Sequence, residues 1–155
     1  MRLIRNSAKA VIIRDGCLLL VRNADISGEG DWFTLPGGGQ NHGETLQEAL
    51  QRECQEEIGV PVQVGDLRLI REYIGRDHEF AQHDGEVHQV EFMFECRMAS
   101  SDTPITGKTP DTQQVGLAWV PLSELPHCNL YPKVLRELLK NGLAGVTTVY
   151  LGNVN

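Results

Sequence analysis

The sequence predicts an α/β layered domain. Short β-rich runs recur along the chain, one well-capped helix lies in the first half, and a second helix lies near the end. Strands of that kind, mixed with a central and a C-terminal helix, bury their apolar faces by stacking in layers. A length of 155 residues suits one domain, residues 1–155, with a core of its own. No repeat, low-complexity tract or linker divides it.

Residues 8–14 and 17–22 are apolar, β-branched runs joined by Asp15-Gly16, a two-residue hairpin signal. Residues 23–31 form a polar loop with two glycines. Trp32-Phe33-Thr34-Leu35 reads as a short strand, and Pro36-Gly37-Gly38-Gly39 as a turn in which backbone can approach a ligand closely. Thr45 and Glu48 have capping-box spacing, and Gly59 with Pro61 ends the helix they open, over residues 45–58. Strand character returns over 62–76. A charged loop spans 76–86, and a strand spans 87–98, where Val90, Phe92, Phe94 and Cys96 alternate with Gln89, Glu91, Met93 and Glu95, as in a half-buried strand. A second polar loop covers 99–114, a strand 116–120 and a helical turn 121–125. A final helix runs over 131–141, with Pro132 in its first turn and Gly142 beyond its end. The tail, 146–151, is β-like and suits an added edge strand.

The helix over 45–58 carries the chemistry. On a 3.6-residue period its inward stripe of Leu46, Ala49 and Leu50 continues to Glu53 and Glu57, where another apolar pair belongs, and Glu56 borders the same face. Two carboxylates roughly 6 Å apart repel by about 3 kcal/mol at an effective dielectric near 20. The negative end of the helix dipole adds to that cost. The pattern points to a hard divalent cation held by oxygens, Mg2+ first and Mn2+ as an alternative. A solvated acidic face is the ordinary reading of such a run, and placement on the core stripe argues against it.

Gly38, five residues, Glu44, seven residues, then Arg52-Glu53-Cys54-Gln55-Glu56-Glu57-Ile58-Gly59-Val60 resembles the Nudix box. The one departure is Cys54, a small hydrophobe where the pattern has a bulkier aliphatic residue. The resemblance implies a Nudix α/β/α sandwich with a mixed sheet and a loop-helix-loop motif. It implies a Mg2+-dependent hydrolase with Glu53, Glu56, Glu57 and the Gly37 carbonyl as metal ligands. Glu53 is the candidate water-activating base, Arg52 the structural ion pair that orients the acidic cluster, and Glu44 a stabiliser of the loop–helix junction. The expected reaction is cleavage of the pyrophosphate of a nucleoside diphosphate linked to another moiety, such as ADP-ribose or a nucleotide sugar. The alternatives are a nucleoside triphosphate pyrophosphohydrolase releasing pyrophosphate and a non-hydrolytic nucleotide-binding module. The intact set of three glutamates counts against the last. Subfamily markers are missing: Gly75 stands where ADP-ribose hydrolases often carry Pro, and no tyrosine of the diadenosine-polyphosphate type follows it.

Arg22, Arg76 and Trp32 are substrate-binding candidates, the arginines for phosphate and the indole for a base; Arg5 and Arg71 belong to the same phosphate group. Asp111 is the carboxylate nearest the position of an additional family ligand, at an unconvincing spacing. His78, His83 and His88 recur at five-residue steps, which fits a solvated or substrate-covering loop better than a metal site. A net charge of −7 argues against nucleic-acid or anionic-membrane partners. Four scattered cysteines without a CxxC pair indicate neither zinc nor a disulfide framework. No signal-peptide core or membrane-length apolar run is present, so a cytoplasmic location is expected, and the β-like tail could serve a homodimer.

Overall fold

The computed structural model describes residues 2–25, 28–106 and 113–155. Its strands are β1 (Arg5–Val11), β2 (Ile13–Arg14), β3 (Cys17–Asn23), β4 (Trp32–Thr34), β5 (Gly37–Gly39), β6 (Gln63–Ile74), β7 (His88–Arg97), β8 (Gln114–Pro121) and β9 (Tyr150–Asn153). Its helices are α1 (Leu46–Ile58), α2 (Ala81–Asp84) and α3 (Val134–Leu138). The mixed sheet and helical layers are those the sequence predicts.

One sheet runs β5-β1-β7-β6-β9. In it β1 lies parallel to β7 and β9 parallel to β6, while β5 and β6 pair antiparallel with β1 and β7. In the second sheet β3 pairs antiparallel with β8 along one edge and with β2 and β4 along the other. The chain passes from the first sheet to the second at Ile12, and Asp15 and Gly16, with φ of 52° and 73°, turn β2 back into β3. Both turn residues have the positive φ that a tight hairpin demands.

Two apolar clusters hold these layers. Leu50, Cys54 and Ile58 of α1 pack on Ala8, Ala10, Ile12, Phe94 and Cys96. On the other side Val11, Leu69 and Met93 meet Leu18 and Leu20 of β3 and Leu130, Leu135 and Leu139 around α3. Each such fully buried aliphatic side chain contributes about 1.5–3 kcal/mol.

Several expectations change. Residues 37–39 form an edge strand and not a turn, because a glycine run has no side-chain alternation to announce a strand. The 75–87 connection holds a 3-10 turn, Gly75–Asp77, and α2. The last helix is shorter than 131–141. The strand β7 is buried on both faces, with Met93 in the second core and Glu91 closed over by Arg71. The tail forms an edge strand as expected, but over Tyr150–Asn153 and not 146–151, paired within its own chain to β6.

Candidate active site

The helix α1 begins as its sequence dictates. The Thr45 hydroxyl accepts from the Glu48 amide at 3.1 Å, and the Glu48 carboxylate accepts from the Thr45 amide at 2.8 Å. Gly59, at φ 71°, ends it. Between the ends, the apolar stripe continues through Leu50, Cys54 and Ile58, all fully buried. Glu53 and Glu57 therefore do not replace the core stripe. They stand beside it, one position ahead of Cys54 and Ile58, and the face they occupy turns to the glycine strand.

That strand receives both carboxylates. Glu57, only 7% exposed, accepts from the Gly37 amide at 2.9 Å through Oε2. Glu53 lies on Gly38, where a methyl group would come within 2.6 Å of its carboxylate. Gly38 thus leaves a cradle that any other residue would fill. Gly37 adopts φ 131°, and a side chain there would overlap the Ala8 carbonyl.

Arg52 organises the rim. Its Nε donates to Glu44 Oε1 at 2.6 Å, Nη1 to Glu53 Oε1 at 3.0 Å, and Nη2 to the Gly39 carbonyl at 2.9 Å. Glu56 stands 3.5 Å from the same Nη1. The Arg52 hydrogen bond, followed by the Asn41 amide, lowers the Glu44 carboxyl to a pKa of about 2. Glu44 in turn raises the Arg52 guanidinium pKa, against the opposing effect of burial. Loop, strand and helix are bound together by one cation.

Among the described residues no three His, Cys, Asp or Glu side chains converge as a ready metal cluster. Glu53 is engaged by Arg52, Glu57 by the Gly37 amide, and Glu56 is turned to the rim. The donor chemistry nonetheless fits a hard divalent ion. Among the described residues the donors offered are oxygens, of two carboxylates and a carbonyl on one strand edge, and the Gly38 cradle keeps the Glu53 carboxylate against it.

The remaining candidates lie elsewhere. Arg22 projects from β3 toward Asp31, at 3.5 Å, and Trp32 on β4 meets Tyr131 edge-on at 6.4 Å. Arg76 is exposed beside Asp77. Arg71 is buried, donating to Glu91 at 2.5 Å and to the Val154 carbonyl at 2.7 Å. His78 stacks on Tyr73 and His88 approaches Glu72. Asp111 lies outside the described residues.

Two neighbours of the site are not marked by any sequence pattern. Gln114, buried at the start of β8, donates to the Glu57 carbonyl at 2.9 Å and ties the end of α1 to the second sheet. Lys9 donates to the Gly37 carbonyl at 3.1 Å. In a strand of alternating residues a single lysine carries no signal of that contact.

A family model described as the NUDIX domain matches residues 4–141. A curated relative from Salmonella paratyphi B, named nucleoside triphosphatase NudI, is 32% identical over 137 residues, which is 86% of this chain and 93% of the relative. A MutT NUDIX hydrolase structure from Burkholderia pseudomallei superposes with a TM-score of 0.65 at 23% identity, covering 86% of this chain and 95% of the other. An ADP-ribose pyrophosphatase structure from Streptococcus suis gives 0.56 at 19% identity, over 99% and 100%.

Proposed function

The chain belongs to the Nudix hydrolase family, and on that premise we propose that it hydrolyses nucleoside triphosphates to the monophosphate and pyrophosphate with a divalent cation. The observation that carries a hydrolytic site is the pairing of Glu53 and Glu57 with the Gly37–Gly39 edge. Glu57, Glu53 and the Gly37 carbonyl are the residues that would hold the ion, with Glu56 in support. Mg2+ is the first choice and Mn2+ the second.

The cation would supply Lewis-acid stabilisation of the phosphoryl oxygens. The chain's own residues do the rest. Glu53 accepts the proton of the attacking water as its oxygen bonds to phosphorus and the phosphoanhydride P–O bond breaks. The electron pair of that bond leaves on the bridging oxygen, which departs with pyrophosphate when the α-phosphorus is attacked and with the nucleoside monophosphate when the β-phosphorus is. Arg52, held by Glu44 on its far side, keeps the Glu53 carboxylate on Gly38 and does not touch substrate. Positioning and charge stabilisation carry most of such a reaction, since phosphoryl transfer needs little covalent help from the protein.

Support for the triphosphate comes from the Salmonella relative, which is named a nucleoside triphosphatase and aligns over 86% of this chain. That moves the triphosphate ahead of the diphosphate-linked nucleotide favoured on sequence alone. A panel of nucleotides with Mg2+, its products identified by mass spectrometry, decides between them. Monophosphate plus pyrophosphate from triphosphates is the expected result. Turnover of nucleotide sugars or ADP-ribose, with triphosphates untouched, would refute the reading.

A further inference from the structure

We propose that Lys9 and Arg5, on one face of β1, form the subsite for the substrate's phosphate chain, with the phosphate farthest from the glutamates seated at Arg5. The proposal deepens the triphosphate reading and rests on it for the identity of the chain bound.

The placement follows from strand register. Lys9 stands opposite Gly37 and Ser7 opposite Gly39. Alternate residues of a strand share a face, so Arg5, Ser7 and Lys9 project together. Because Lys9 and Ser7 stand opposite glycines on β5, the long side chains of Lys9 and Arg5 can lie down across that strand. Lys9 reaches the Gly37 carbonyl at 3.1 Å. Arg5 covers Gly39, where a methyl group would come 2.5 Å from its Nη2 and 2.7 Å from its Nε. The two cations are stationed along the strand that also receives Glu57 at the Gly37 amide, Glu53 at Gly38 and Arg52 at the Gly39 carbonyl.

Charge pairing leaves few cations open: among the described residues Arg14 and Arg136 bond carbonyls and Arg97 stands exposed on the far end of β7, also without an ion pair. Arg2, Arg22, Arg52, Arg68, Arg71, Arg76, Lys133 and Lys140 each face a carboxylate. Among the described residues Lys9 and Arg5 form no ion pair. Along β7 Lys9 stands opposite Met93, with Glu91 and Glu95 each two residues away; Arg71 holds the first and Arg68 the second. Lys9 is half-buried, so its ammonium has given up part of its hydration for one carbonyl contact, and an anion that arrives there completes its coordination.

The space beyond Arg5 fits the end of an anionic chain. A shallow cavity of about 350 Å³ opens there, with Arg5, Asn6, Gln40, Asn41, His42 and Glu44 in its lining. Within the lining the Asn6 amide donates to Gln40 and the Gln40 amide to the Glu44 carbonyl, while the Glu44 carboxylate is engaged by Arg52 and the Asn41 amide, so the Arg5 guanidinium is the charged donor facing the cavity. In a chain of net charge −7 this edge places two cations side by side with no ion pair among the described residues, which is where a polyanion docks.

The test is calorimetric titration of the metal-free protein with inorganic tripolyphosphate at low ionic strength. Wild type is compared with Lys9→Met, Arg5→Met, the charge-keeping Lys9→Arg, and Arg97→Met as an exposed control. Melting temperatures verify folding. Loss of one charge-assisted contact is expected to weaken binding by at least about tenfold in Lys9→Met and in Arg5→Met. Lys9→Arg should stay within a few-fold of wild type, and Arg97→Met should match it. Undiminished binding in both methionine variants, or no binding by wild type, would overturn the subsite. Because tripolyphosphate carries no nucleoside, the outcome is independent of the nucleotide panel. Weakened binding in the variants with no triphosphate turnover leaves the subsite standing and removes the substrate reading. Triphosphate turnover with unchanged binding does the reverse.

Discussion

At the scale of single residues, the acidic pair on α1 and the arginine beside it divide the work. Glu57→Gln and Glu53→Gln keep the shape and one hydrogen-bonding oxygen of each side chain, so the Gly37 contact and the Gly38 cradle survive. Steady-state kinetics on both variants should show turnover reduced by orders of magnitude, with melting temperatures near wild type. Glu44 makes a different prediction. Its folded-state pKa of about 2 lies below the ordinary 4.5, so its stabilising contribution is complete above pH 4.5 and is lost as pH falls toward 2. Acid unfolding of Glu44→Gln should therefore lack part of the wild-type stability change across that window. Identical acid-unfolding profiles for the two proteins would show that the Arg52 contact adds nothing to folding.

At the scale of elements, α1 and β5 are one device: the helix supplies carboxylates and the strand supplies room. Gly38→Ala would drive a methyl group into the Glu53 carboxylate and push it off the strand. Activity should fall sharply with little loss of stability, because the carboxylate end of Glu53 can swing away. Leu50→Ala tests the opposite face. Leu50 is fully buried in the first core, so it should cost about 2–5 kcal/mol in denaturant unfolding. The helix was legible because capping box, periodicity and terminal glycine all agree. Its exact face was not. Helical phase separates Ala49, Glu53 and Glu57 from Leu50, Cys54 and Ile58 by a single position, and Cys54 is too weakly apolar to mark the core stripe on its own. The strand β5 was illegible for want of side chains. Burial of Glu91 was illegible because its cause, Arg71, sits twenty residues away on β6. Lys9 shows the same limit, since its contact exists only once β1 and β5 are in register.

At the scale of the molecule, the two cores flank the site without entering it, so metal and fold are separable. Chelation should abolish turnover and leave the melting temperature close to that of the untreated protein, as followed by circular dichroism. The tail has a larger part in stability. The strand β9 extends the first sheet, Asn153 holds the 75–87 connection through His78 and Asp77, and the Val154 carbonyl accepts from buried Arg71. Truncation after Gly145 should lower stability by more than the 1–3 kcal/mol or so of one orphaned buried polar group. Gel filtration of the same truncation tests the outer edge of β9 as a pairing surface for a second copy; an unchanged oligomeric state would remove the tail from any dimer.

The most direct measurement is titration of the protein with Mn2+ followed by electron paramagnetic resonance, in wild type, Glu53→Gln and Glu57→Gln. Outer ligands alone are commonly worth 10–100-fold in metal affinity, so loss of a direct carboxylate should weaken Mn2+ binding by about 10²-fold or more. Equal affinity in all three proteins would contradict the assignment of these glutamates to a cation.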